Sequence, residues 1–272
     1  KIRFPDLKLR DTEFGTQGTL KGEVRHRNFQ DFDLDLTIAG KELLVLNTPP
    51  GRGDAYYGTA FAGGEINLKG KPSRLQVDAQ VNTQRKTDFS IPIAGSSEEK
   101  RSGYVEFIDP KDDEDSLAIE NVHFLKEEGV SLDFDIGVDQ RAQINIILDA
   151  KTGNKMQAQG DGQIKLKMDP FGEMQLFGLY TIAEGSYNFN LEGMFNKRFE
   201  LQRGGTVKWN GDPYRAQLDI TAQYITKADP SVFTGQPSAG PTRTEVYLQI
   251  SGPLTNPEIN FDIKTPRSES SR

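Results

Sequence analysis

The chain has 272 residues, 35% of them hydrophobic, and a net charge of −7. An acidic chain with no basic stripe speaks against nucleic acid as a partner, and the absence of cysteine excludes disulfides and thiolate metal sites. No apolar run approaches the ~18 residues of a membrane-spanning helix, and a start at Lys1, with no signal peptide, is expected of a processed chain or an expressed fragment.

Taken from the N-terminus, the chain repeats one pattern. Leu34, Leu36 and Ile38 alternate with Asp33, Asp35 and Thr37, and Leu75, Val77, Ala79 and Val81 follow in the same way. A period of two puts every apolar residue on one face of a strand, whereas a helix would mix the two sets. The charged stretches Ser96–Ser102 and Lys111–Asp115 read as loops around a soft boundary. Leu117–Lys126 is the nearest approach to a helix, but its β-branched and aromatic centre reads equally as a strand.

The alternation resumes with Leu132, Phe134, Ile136 and Val138, then Ile144, Ile146 and Leu148, then Ile164, Leu166 and Met168. Leu176 opens a further run, in which Tyr187, Phe189 and Leu191 share a side. A turn is expected near Asn196–Lys197, returning Phe199 and Leu201 to that side, and a bend at Gly204–Gly205 precedes Val207 and Trp209. Ala216, Leu218, Ile220, Ala222 and Tyr224 alternate next. Residues 229–242, rich in Pro, Gly, Ser and Thr, predict a mobile loop. Val246, Leu248 and Ile250, then Ile259, Phe261 and Ile263, close the pattern before a polar tail at 267–272 that reads as disordered.

Turn signals lie between the runs at Gly70-Lys71-Pro72, Thr152-Gly153-Asn154, Gly160-Asp161-Gly162, Asp169-Pro170-Phe171-Gly172, Gly211-Asp212-Pro213 and Thr255-Asn256-Pro257. The expectation is all-β: roughly 18–20 strands in one continuous, largely antiparallel architecture over residues 1–272.

The residues carry no catalytic signature. His26 and His123 stand apart from any nucleophile or ligand motif and read as surface or packed histidines. Asp31, Asp33 and Asp35 lack the glycine and glutamate of a calcium loop and read as the wet face of a strand. No acidic pair is marked out for glycoside cleavage. The expectation is therefore a non-enzyme without cofactor or metal. What the sequence does offer is amphipathic surface: many strands, each with one apolar face. A polysaccharide-acting β-helix shares the strand richness but lacks its short fixed repeat, and an outer-membrane barrel shares the alternation.

The C-terminal part resembles the C-terminal domain of TamB-type translocation and assembly proteins. The residues that carry the likeness are Gly185–Phe189, Phe199–Gly211, Pro213, Leu218–Ala222, Val246–Leu254, Pro257, Ile259, Phe261 and Ile263, with weaker similarity at Gly18–Val24 and Tyr57–Gly64. The resemblance implies a long sheet curled into an open, U-shaped trough with an apolar interior, often called a β-taco. It implies a periplasmic carrier of phospholipid between the inner and outer membranes, anchored in the inner membrane by a segment outside this chain. It also implies a TamA- or BamA-like outer-membrane barrel as partner, with an assembly role in inserting outer-membrane proteins as the alternative.

On that footing, parity selects the groove lining: Leu132, Phe134, Ile136, Ile144, Ile146, Leu148, Ile164, Leu166, Met168, Leu176, Tyr187, Phe189, Leu191, Leu201, Val207, Trp209, Leu218, Ile220, Leu248, Ile250, Phe261 and Ile263. The expected ligand is the acyl chain of a phospholipid. One strand per step gives an expected trough length of roughly 90 Å.

Overall fold

The alternating runs form strands throughout. A computed structural model of the chain describes residues 1–51, 56–93, 128–191, 195–229 and 240–264. Within them lie fifteen strands of a single sheet. They are β1 (Ile2–Arg10), β2 (Gln17–Arg27), β3 (Gln30–Thr48), β4 (Tyr57–Lys71), β5 (Arg74–Thr83), β6 (Asp88–Pro92), β7 (Gly129–Val138) and β8 (Gln143–Asp149). The series continues with β9 (Asn154–Met168), β10 (Met174–Leu191), β11 (Phe195–Leu201), β12 (Thr206–Gly211), β13 (Gln217–Ala228), β14 (Thr242–Pro253) and β15 (Glu258–Lys264). The expected loops at 96–102 and 111–115, the 117–126 segment, His123 and the 267–272 tail lie outside the described residues, as do residues 230–239 of the expected 229–242 loop.

The strands occupy twelve rungs, not fifteen. β5 and β6 lie end to end along β4, β7 and β8 along β9, and β11 and β12 along β10. The sheet is therefore about 50 Å long, counting ~4.8 Å per rung, which shortens the 90 Å expectation. That expectation counted every alternating run as a separate step, whereas half-strands share one.

The breaks between half-strands fall on a common line. It passes through the β3 register shift between Gly40 and Leu43, Gly63–Gly64 of β4, residues 84–87, residues 139–142, Gly160–Gly162 of β9, the β10 shift between Ile182 and Glu184, and residues 202–205. Backbone groups along this crease stay paired: Gln84 N–H donates to the Phe61 carbonyl at 2.8 Å, Gln143 to Thr87 at 2.9 Å, and Ile182 to Gly205 at 2.8 Å. Bulges and glycines bend a strand without leaving polar groups orphaned. The sheet thus folds along the crease into two walls, with the apolar faces inward. Tyr180, Val207 and Trp209 from one wall join Ile146, Met156, Tyr187 and Phe199 from the other in one core cluster.

Two sequence expectations are corrected here. Gly160-Asp161-Gly162 is not a chain reversal; it lies inside continuous β9 at the crease, where the Tyr180 ring covers it. A Cβ on Gly160 would stand 3.0 Å from Tyr180 Cζ, and one on Gly162 3.3 Å from Cδ2. The β10–β11 turn is not at Asn196–Lys197, since both residues are already paired with Asn190 and Phe189.

Most pairs are antiparallel, but β5–β7 and β6–β8 are parallel. Parallel neighbours need a crossover connection rather than a tight hairpin, and β6 and β7 stand on either side of residues 94–127, which lie outside the described residues. The strands before and after them pair directly in one sheet. The pairing also contains a circuit of six strands, β4–β5–β7–β9–β8–β6. Because β4 and β9 run unbroken through the crease, that circuit is two half-strand rungs held between two whole ones. Among the described residues β1 pairs only with β2 and β15 only with β14, so the sheet as a whole stays open.

Candidate functional site

Strand register builds the apolar interior row by row. Leu36, Leu68, Val77, Leu132, Met168 and Met174 are successive partners from β3 to β10. Beside them run Ile38, Ile66, Ala79, Phe134, Leu166 and Leu176. The opposite face carries Thr37, Asn67, Asp78, Asp133, Lys167 and Gln175 in matching register. Its pairs are polar: Thr37 donates to Asn67 Oδ1 at 2.7 Å, and Lys165 Nζ meets Asp133 at 2.9 Å and Asp135 at 3.0 Å. These carboxylates hold the Lys165 ammonium above its ordinary pKa. Neighbouring strands at one register thus present hydrocarbon on one face and polar or charged groups on the other.

Burial changes along the groove. Across β3 to β9 the two inner rows are half-buried, apart from the small Ala79. From β10 to β14 the groove is filled: Ile182, Val207, Ile220, Leu248 and Ile250 are at most 2% exposed, and across the crease Ile146 of β8 and Met156 of β9 join the same core. The last strands curl over this end. Phe261 of β15 lies four rungs from β10, yet its ring centroid is 5.7 Å from that of Phe189. Phe189 also meets Tyr187 at 5.9 Å and Phe199 at 6.4 Å, both edge-on, an arrangement favoured between aromatic quadrupoles.

The residues chosen from sequence parity divide along this gradient. Leu132, Phe134, Ile136, Ile144, Leu148, Ile164, Leu166, Met168, Leu176 and Phe189 are half-buried. Ile146, Tyr187, Leu201, Val207, Trp209, Leu218, Ile220, Leu248 and Ile250 are buried in the filled end. Phe261 and Ile263 are exposed, at 52% and 42%. The side chain of Leu191 lies outside the described residues. Sequence reasoning left out the inner rows of β3, β4 and β5. Their signal was the same alternation, already visible at Leu34–Ile38 and Leu75–Val81.

Tyr180 stands where the open and filled parts meet. It is 4% exposed, and its hydroxyl has no hydrogen-bond partner among the described residues. Burial pushes its pKa well up, and that of Tyr187 up to about 12. His26 lies away from the groove, at the β2–β3 turn, with its ring stacked on Phe29 at 4.6 Å. No group of three or more His, Cys, Asp or Glu among the described residues is arranged to hold a metal ion.

A family model of the TamB C-terminal domain matches residues 7–272. The chain belongs to that family. A search of curated proteins finds no match. The TamB C-terminal domain is a part of bacterial envelope proteins of the translocation and assembly module, a transport and assembly family in which a TamA-like barrel is the partner. Residues 185–191 and 195–213, which carried much of the resemblance, form the last part of β10, then β11, β12 and the turn after them, on adjacent rungs. In this TamB domain no described helix is long and apolar enough to cross a membrane.

Proposed function

We propose that the half-buried part of the groove is a rail for phospholipid acyl chains passing between the inner and outer membranes across the periplasm. The observation that carries this reading is the pair of unbroken apolar rows from β3 to β10, incompletely covered by the described residues, with a polar face behind them. Each CH₂ taken from water onto such a surface contributes about 0.8 kcal/mol. Rungs repeating every ~4.8 Å offer similar contacts at each step, so a chain can move along them without crossing a high barrier. The headgroup remains at the open side, in water. The reading needs no catalytic residue, metal or cofactor, and the full-length protein would supply the membrane anchor.

The second reading, an assembly module that helps a barrel insert its clients, is favoured by the free edge of β15. Among the described residues Glu258–Lys264 pairs on one side only, and its Phe261 and Ile263 are exposed. Such an edge accepts a further strand.

Lipid extraction and native mass spectrometry of the purified chain test the rail. Bound phospholipid is expected in the wild type, several-fold less in Leu166→Asp, and wild-type amounts in Lys165→Ser, whose change lies on the outer face. Lipid-free wild-type protein from several expression hosts would overturn the rail reading.

A further inference from the structure

The two most exposed large hydrophobic side chains among the described residues are Phe29, at 73%, and Phe171, at 62%. Scattered exposed apolar residues need no explanation, but these two share a place. Phe29 is at the tip of the β2–β3 turn and Phe171 at the tip of the β9–β10 turn. Register puts both turns on one rim, with the β4–β5 turn between them. They are five rungs apart, about 24 Å along the groove. That interval brackets the half-buried rows.

Neither ring is drawn back into the fold. Phe29 has φ +57°, and its neighbours Asn28 and Asp31 are also left-handed. A bulky residue rarely adopts that conformation, and it persists where the surroundings enforce it. Here the Phe29 N–H donates to His26 Nδ1 at 3.2 Å and its ring stacks on the imidazole. At the other tip, the Asp169 carboxylate accepts from the Phe171 N–H at 3.0 Å and the Glu173 N–H at 2.8 Å, fixing the turn that displays Phe171. By contrast, Phe14 and Tyr56, at the opposite ends of the strands, pack on Phe61 and Phe89.

Cations stand at the same rim. Arg27 beside Phe29, and Lys71 at the end of β4, have no ion pair among the described residues, whereas Phe171 is flanked by Asp169 and Glu173. At the Phe29 tip, an aromatic ring next to an uncommitted cation matches the interfacial layer of an anionic bilayer, where the ring enters the acyl boundary and the cation meets phosphate; at the Phe171 tip the exposed ring alone offers insertion.

We infer that this rim is a membrane-contacting edge, with Phe29 and Phe171 dipping into the headgroup region of an anionic phospholipid bilayer. The inference rests on the rail reading and adds to it the side from which lipid enters. Contact at two points would hold the open groove against the bilayer, with the half-buried rows between them.

The test uses the whole chain, whose single tryptophan, Trp209, is 8% exposed and gives a steady background. Phe29→Trp and Phe171→Trp report separately, and Lys151→Trp reports from the β8–β9 turn on the opposite rim. Vesicles of phosphatidylethanolamine and phosphatidylglycerol should shift emission to the blue at both tips and leave Lys151→Trp unchanged. Raising salt should weaken the shift at both tips together, because screening of Arg27 and Lys71 lowers the one bound state that both tips share. In vesicle sedimentation, the double variant Phe29→Ser/Phe171→Ser should bind about fivefold less, the order expected for losing two partly inserted rings. No shift at either tip, a shift at only one, or an equal shift at Lys151→Trp would each overturn the rim contact. If wild-type protein still carries extracted lipid in that case, the rail stands and only the entry side is wrong. Lipid-free protein with both tips shifting would remove the rail and leave a membrane-binding edge.

Discussion

Tyr180 shows how a single residue serves the shape of the groove. Its ring covers two glycines at the crease, in space that a side chain at either position would take. The cost is a buried hydroxyl without a partner, a loss on the order of 1–3 kcal/mol relative to a satisfied group. Tyr180→Phe keeps the ring and removes the orphan, so urea unfolding should show stability unchanged or raised by about 1 kcal/mol; a loss of that size would mean that the hydroxyl has a partner. At the other end of the sheet, hydrogen bonds from Lys1 and then Arg25 hold the Glu23 carboxyl down to about 2. The ion pairs measure 2.6 and 2.8 Å. Because the folded-state pKa is depressed, the stabilisation is present above the ordinary carboxylate range. It fades as pH falls from about 4.5 towards 2. An NMR titration should find the Glu23 midpoint near 2, and a midpoint near 4.5 would show that the pairs do not persist in solution.

Among the elements, the strands themselves were legible because a two-residue period has one structural solution. β13 shows this best: Leu218, Ile220 and Ala222 are buried, and Gln217 and Asp219 are exposed, as alternation requires. Legibility stopped where strands bend. Gly160 and Gly162 carry a turn signal, yet the meaning of a glycine depends on what lies across from it, and Tyr180 is 18 residues away from Gly162 in sequence. The parallel pairs β5–β7 and β6–β8 were invisible for the same reason, since pairing direction is set by partners far apart in the chain. The burial gradient was also hidden, because core and groove residues obey one parity. It has a dynamic consequence. Amide exchange reports local opening, so it should be slowest in β13 and β14, whose inner residues are almost fully buried on paired strands. It should be fastest in β1, where Ile2 and Leu7 are exposed and one edge is unpaired. Equal protection across the sheet would contradict the gradient.

For the whole molecule, the crease, the two walls and the change in burial combine into a folded sheet that is filled from β10 to β14 and half-buried along the two apolar rows from β3 to β9. The filled end supplies the fold with its core, and the half-buried rows are apolar surface that the described residues do not fully cover. The most direct test is site-specific photo-crosslinking in cells, in the full-length protein, with the reactive side chain placed at Phe134 or Leu166 and, one residue away, at Asp135 or Lys165. Neighbours in sequence point to opposite faces, so chain position and expression are matched and only the face differs. The account predicts lipid adducts at Phe134 and Leu166 and none at Asp135 and Lys165; equal labelling at all four positions, or lipid adducts at none, would contradict it.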